Sequence, residues 1–188
     1  VSEKDLWRYR LGTYTSGRLR RRIVMPSFDS EGELNYYVAR AIDESSKPKY
    51  LNSSNKKTEI IFNDIDIDWQ QPITIVEGPF DLMKCENNST CLLGSEITPR
   101  SKLFHKIITN QTPVFLALDA DMKEKSFKIA ELLESYCCEV KIVDLGKFSD
   151  VGETSKVEFE NLRSQAKRFN RRDFITWKIQ AIRSGSFI

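Results

Sequence analysis

Two kinds of hydrophobic spacing divide the chain. Residues 22–28 (RIVMPSF) and 33–42 (ELNYYVARAI) are apolar and aromatic runs of strand composition. The turn-forming Asp29-Ser-Glu-Gly32 parts them, so they predict a β-hairpin. Residues 48–57 (PKYLNSSNKK) have the Asn, Ser and Lys content of a loop, with Ile60-Ile-Phe62 a short strand beyond it. The alternating Asp64-Ile-Asp-Ile-Asp68 reads as a strand or an extended turn whose acids form a solvated edge.

From Pro72 the pattern becomes strand and helix in regular succession. Apolar runs at 73–76, 91–93, 114–118 and 140–143 predict strands, and residues 80–88, 98–109 and 122–137 predict helices. Near-continuous apolar strands alternating with amphipathic helices imply an α/β fold: a parallel four-stranded sheet with helices on both faces. Such sheets bind ligands at the carboxyl ends of their strands. Residues 153–172 and 174–188 predict one or two amphipathic helices, with Phe159, Leu162, Ala166 and Phe169 on one stripe. The expected organisation is a basic, hairpin-containing segment at 1–71, the α/β unit at 72–150 and a helical segment at 151–188.

Composition narrows the class. At 188 residues, 40% hydrophobic and 30% charged, the chain has the make-up of a soluble globular protein of one domain with an appendage. No apolar run approaches the roughly 20 residues that cross a bilayer, and residues 1–10 lack the apolar stretch of a signal peptide. A membrane or secreted protein is therefore not expected, and the expected location is cytoplasmic. The chain opens on Val1 and not on Met, so a fragment or a processed chain is expected. Cys85, Cys91, Cys137 and Cys138 contain no Cys-x-x-Cys pair, so no zinc site is read, and buried thiols suit a reducing compartment. The single His105 lies on a predicted helix beside Leu103 and Ile107 and reads as structural.

Charge is informative by position. The net charge is +2. Residues 1–22 hold seven Lys/Arg against two acids and residues 161–188 seven against one, which leaves 15 basic and 24 acidic residues in the middle. Basic ends around an acidic centre suit a protein that grips a polyanion while keeping carboxylates for metal ions. Arg18, Arg20, Arg21 and Arg22, beside Gly17, are denser than a solvated surface needs.

The acids fall where ligands bind. Glu77 ends the first strand of the α/β unit, Gly78 allows a tight turn, and Asp81 follows in the first helical turn. Asp119 and Asp121 end the third strand, and spacing two in extended backbone puts both on one face. Carboxylates gathered from separate strands persist where a hard divalent cation neutralises them, so Mg2+ or Mn2+ is expected. Asp150 follows the fourth strand as a weaker candidate.

Val76-Glu-Gly-Pro-Phe-Asp-Leu-Met83 followed by Leu116-Ala-Leu-Asp-Ala-Asp121 resembles the Toprim domain. Arg22-Ile-Val-Met-Pro26, Tyr37-Val-Ala-Arg40 and Pro48-Lys-Tyr-Leu-Asn52 resemble the segment preceding Toprim in DnaG-type primase cores. The resemblance runs from about Arg22 to Asp150. It implies that Glu77, Asp119 and Asp121 are catalytic and that Glu77, Asp81, Asp119, Asp121 and Asp150 hold two or more Mg2+ or Mn2+ ions. Nucleic acid or nucleotide would be held by Arg18, Arg20, Arg21, Arg22, Arg40 and Lys49. The implied activity is synthesis of short RNA primers by nucleotidyl transfer from nucleoside triphosphates on a single-stranded DNA template, and the resemblance implies a phage-encoded primase. A replicative helicase is a candidate partner, and a bacterial or host-cell cytoplasm is the expected location. Met122-Lys-Glu-Lys125 departs from the usual Ala-Gly helix start of the family, and Phe148 stands where an acid is common. Two other readings stand beside it: a Toprim nuclease that uses the same carboxylates with water as nucleophile, and a non-catalytic nucleic-acid-binding or assembly module whose binding does not need the acids.

Overall fold

A computed structural model of the chain describes residues 2–44, 46–85, 88–94 and 96–183. The short helix α1 (Glu3–Arg8) starts on a reciprocal cap, in which the Ser2 hydroxyl accepts the Asp5 N–H and the Asp5 carboxylate accepts the Ser2 N–H. The hairpin forms where its pattern places it, with β1 (Arg22–Phe28) antiparallel to β2 (Leu34–Ala41). Its turn is locked by Asp29, whose Oδ1 accepts the N–H groups of Glu31 and Glu33 at 3.0 and 2.9 Å. The stretch read as a loop contributes a third strand, β3 (Tyr50–Asn52), which pairs Val38 with Asn52 and Arg40 with Tyr50. Ile60-Ile-Phe62 is buried but joins no strand; its apolar character serves packing. Asn63 then takes a left-handed conformation and a 3-10 turn follows at Asp64–Asp66, where the Asp64 carboxylate accepts the Trp69 indole N–H at 3.1 Å. The expected solvated edge is thus partly inside, because Asp64 is buried.

The second sheet comprises β4 (Ile73–Val76), β5 (Ser89–Cys91), β6 (Val114–Ala117), β7 (Val140–Ile142) and β8 (Lys167–Arg168), in the order β5-β4-β6-β7-β8. The first four are mutually parallel, as expected. β8 is an addition: two residues of a stretch read as helix pair antiparallel to β7 and cover its edge, and the Phe169 N–H donates to the Val140 carbonyl at 2.8 Å. β5 begins two residues before the expected run. The helix expected at 80–88 is a 3-10 helix at Pro79–Lys84, and residues 86–87 lie outside the described residues. The remaining helices are α2 (Lys102–Asn110), α3 (Lys123–Glu134), α4 (Lys156–Ser164) and α5 (Arg171–Arg183). The end of the last predicted helix, 184–188, also lies outside them.

Strand alternation sorts the core into two faces. Ile73, Ile75, Val114, Leu116, Leu118 and Val140 pack with Leu103 and Ile107 of α2, Phe127 and Leu133 of α3 and Phe174 of α5. Val76, Ala117 and Val143 point the other way. They pack with Leu82 of the 3-10 helix, Phe159 of α4 and Met25, Tyr36 and Val38 of the hairpin sheet. On that face the Arg163 Nε donates to the Thr74 hydroxyl at 2.9 Å, and its guanidinium lies 4.3 Å over the Phe115 ring. α1 is stitched across the same side: the Tyr9 hydroxyl donates to the Leu82 carbonyl, and Lys156 of α4 pairs with Asp5 at 2.6 Å.

Candidate active site

The two sheets face each other across a cleft of about 570 Å³. One wall comes from the hairpin sheet. Because Val38 opposes Asn52 and Arg40 opposes Tyr50, the period of two puts all four on one face, and all four line the cleft. Lys49 stands beside them. The other wall is built from strand ends: Glu77 follows β4, Asp119 follows β6, and Gly78, Phe80, Asp81, Asp150 and Gly152 complete it.

Local chemistry fixes each carboxylate. Asp81 caps its own turn, with Oδ2 accepting the Gly78 N–H at 3.0 Å. Asp150 caps the next one, its Oδ1 accepting the Glu153 N–H at 2.9 Å. The loop bearing Asp150 is tied to the turn after β6 by the Ala120 N–H donating to the Ser149 carbonyl at 2.9 Å, and to the Asp81 turn by Lys84 donating to the Thr154 carbonyl. At Gly152 a Cβ would lie 3.0 Å from Asp150 Oδ1 and 3.1 Å from Asp81 Oδ1, so glycine leaves that space open between the two carboxylates. Glu77 is engaged by a group absent from the sequence reading of the site: Lys125 Nζ of α3 lies 3.0 and 3.2 Å from its two carboxylate oxygens.

This crowding has an electrostatic cost. Burial pushes the Asp119 carboxyl up to about 6, with the negative charges of Asp81, Glu77, Asp150 and Asp121 adding to it. Burial likewise raises Asp81 to about 6, with Asp150 and Glu77 adding and the Gly78 N–H and Arg40 opposing. Asp119 Oδ1 is buried without a hydrogen-bond partner among the described residues. An oxygen-only donor set, an unpartnered buried carboxylate oxygen and the gap at Gly152 fit a hard divalent cation. Among the described residues no three acids, histidines or cysteines close on one point as a ready-made metal cage.

The cleft thus gathers Glu77, Asp81, Asp119, Asp150, Arg40 and Lys49. Asp121 is exposed at the start of the helical turn after Asp119 and does not line it. Arg18 and Arg20 are exposed on the loop before β1, and Arg21 pairs with Asp43 at 2.7 Å. The structure places Arg22 differently from a nucleic-acid contact. It is buried, and its guanidinium donates to the carbonyls of Ala39 and Lys49 at 3.4 Å each, bracing the three strands. Beyond Lys125, the sequence reading passed over Phe80, Asn52 and Gly152. The spacing of Tyr50 and Asn52 was a signal for one of them.

Two sheets enclose the cleft, one supplying basic and aromatic side chains and the other carboxylates from strand ends and the turns beside them, and this fold is similar to that of solved primase catalytic cores. The E. coli primase catalytic core superposes with a TM-score of 0.67 at 19% identity, over 94% of this chain and 64% of that one. A DnaG primase catalytic domain bound to single-stranded DNA superposes with a TM-score of 0.63 at 19% identity, over 88% and 61%. In sequence the chain is similar to the DNA primase of Listeria innocua, 28% identical over 128 residues, or 62% of this chain and 20% of that protein. The chain therefore spans about a fifth of the length of that relative. No family model matches.

Proposed function

We propose that this chain is the catalytic core of a DNA primase, joining nucleotides from nucleoside triphosphates into short RNA on single-stranded DNA. The observation that carries this reading is the convergence of Glu77, Asp81, Asp119 and Asp150 on one wall of a cleft whose other wall presents Arg40 and Lys49. Likeness to DNA primases in sequence and to their catalytic cores in fold supports it. Asp81, Asp119 and Asp150, with Glu77 once it leaves Lys125, would hold Mg2+ or Mn2+. When bound, such ions supply charge neutralisation at the reacting phosphate and activation of the attacking hydroxyl.

The chain's own residues position the rest. Arg40 and Lys49 bind phosphate oxygens from the opposite wall, while Glu77 and Asp119 are presented by the ends of β4 and β6 and Asp81 and Asp150 by the turns they cap. Asp121, exposed beside Asp119, completes the proposed catalytic set with Glu77 and Asp119. Arg18, Arg20 and Arg21 give the template backbone a basic approach to the cleft. A cytoplasmic location and a replicative helicase as partner belong to the same proposal; no helix among the described residues is long and apolar enough to cross a membrane.

The test is incubation with single-stranded DNA, labelled nucleoside triphosphates and Mg2+ or Mn2+, with products resolved on a denaturing gel. Short oligoribonucleotides that disappear with Asp119→Asn are expected. Cleavage of the template without synthesis would overturn the proposal in favour of a nuclease.

A further inference from the structure

The cleft contains a cluster that phosphate binding alone does not require. Tyr50 is 39% exposed at the cleft wall although it is an aromatic residue on a short strand. Phe80, on the 3-10 helix that follows β4, lies with its ring centroid 6.4 Å from that of Tyr50. The Arg40 guanidinium lies 5.8 Å from the Tyr50 ring and 5.4 Å from the Phe80 ring, so it bridges the two. Lys49 Nζ stands 5.8 Å from the Tyr50 ring. Tyr50 and Arg40 are cross-strand partners of the hairpin sheet, whereas Phe80 is next to Asp81 in the second sheet's wall. The cluster therefore spans the cleft from the basic wall to the carboxylate wall.

We propose that Tyr50, Phe80 and Arg40 form a platform on which the base of a nucleoside triphosphate stacks. This rests on the nucleotide reading of the cleft and adds where the base goes. Aromatic rings and guanidinium planes are the surfaces on which unpaired bases stack, and every base has a π-face. The cleft, at about 570 Å³, has the volume of a small-molecule site. A nucleotide whose phosphates reach Lys49 and the carboxylates brings its base within range of Phe80, the immediate neighbour of Asp81. Stacking is tolerant of base identity, so the platform contributes affinity for nucleotides without selecting between their bases.

The experiment is calorimetric titration of the full chain, with Mg2+, using ATP, GTP and the base-free probe inorganic tripolyphosphate. Tyr50→Leu and Phe80→Leu are expected to weaken ATP and GTP about tenfold and to leave tripolyphosphate unchanged. Tyr50→Phe and Phe80→Tyr, which keep the ring, are expected to retain nucleotide affinity. Equal nucleotide binding by the leucine variants and the parent overturns the platform. So does a matching loss of tripolyphosphate, which marks a collapsed cleft. If the parent binds tripolyphosphate as tightly as ATP, the platform fails while the phosphate site stands. If the parent binds none of the three probes, the nucleotidyl-transfer reading fails with it.

Discussion

Neutralising Asp119 should stabilise the cation-free protein. Its carboxyl lies at about 6 when folded, against an ordinary value of 3.8, so the folded chain holds that proton more tightly than the unfolded one. The favourable contribution is complete below about pH 4 and is lost as pH rises through about 6. At pH 8 the ionised carboxylate costs at most about 3 kcal/mol. Because Asp119 is only partly enclosed and shares its repulsion with Asp81, roughly 1 to 2 kcal/mol is the working figure. Asp119→Asn keeps the shape and removes the charge, so in EDTA at pH 8 its unfolding free energy from urea titration should rise by that amount. In a chain of this size the melting temperature should then rise by about 3 to 6 °C. At pH 4 the two proteins should coincide. Added Mg2+ should stabilise the parent by about 1.4 kcal/mol at ten times its dissociation constant, and the variant by less. A variant less stable than the parent at pH 8, or a gain equally large at pH 4, would show that the carboxylates are not strained by one another.

Three further outcomes follow from other contacts. Burial pushes the Asp5 carboxyl up, but hydrogen bonds from Lys156 and from the Ser2 backbone and hydroxyl outweigh it and hold it at about 2. That stabilisation, about 2 kcal/mol, is present above the ordinary value of 3.8 and lost as pH falls toward 2, so Asp5→Ala should lower stability at pH 7 and matter little at pH 2, as read by denaturant titration. Gly152→Ala puts a methyl about 3 Å from Asp150 and Asp81, so primer synthesis should drop at least tenfold while far-UV circular dichroism is unchanged. Arg163→Met gives up the Thr74 hydrogen bond and the Phe115 contact; a loss of about 1 to 2 kcal/mol in stability, with tripolyphosphate binding retained, is expected.

Much of this architecture was readable because its signals are local. The hairpin's apolar runs and Asp29 turn, and the apolar strands carrying Glu77 and Asp119 at their ends, predicted both sheets and the carboxylate wall. What escaped depends on contacts distant in sequence. β8 is two polar residues whose strand character comes only from the open edge of β7. Tyr50–Asn52 looks like loop because its Asn, Ser and Lys neighbours outweigh three residues of pairing. Arg22 sits in a basic run, and nothing in that run distinguishes a buried brace from an exposed arginine. Arg163, in a stretch read as an amphipathic helix, is half-buried against β4 through a partner 89 positions away. Lys125 meets Glu77 across 48 positions, and spacing along the chain gives no sign of it.

Met25, Tyr36 and Val38 share one hydrophobic cluster with Val76, Ala117 and Phe159, which makes the floor of the cleft continuous apolar packing. The gap between the basic and the acidic wall is therefore a gauge set when the chain folds. Widening it means parting buried side chains, and each large one exposed costs about 1.5 to 3 kcal/mol. A substrate that fits is measured against a fixed width, and amides of β2 and β4 should exchange with solvent together, as parts of one melting unit.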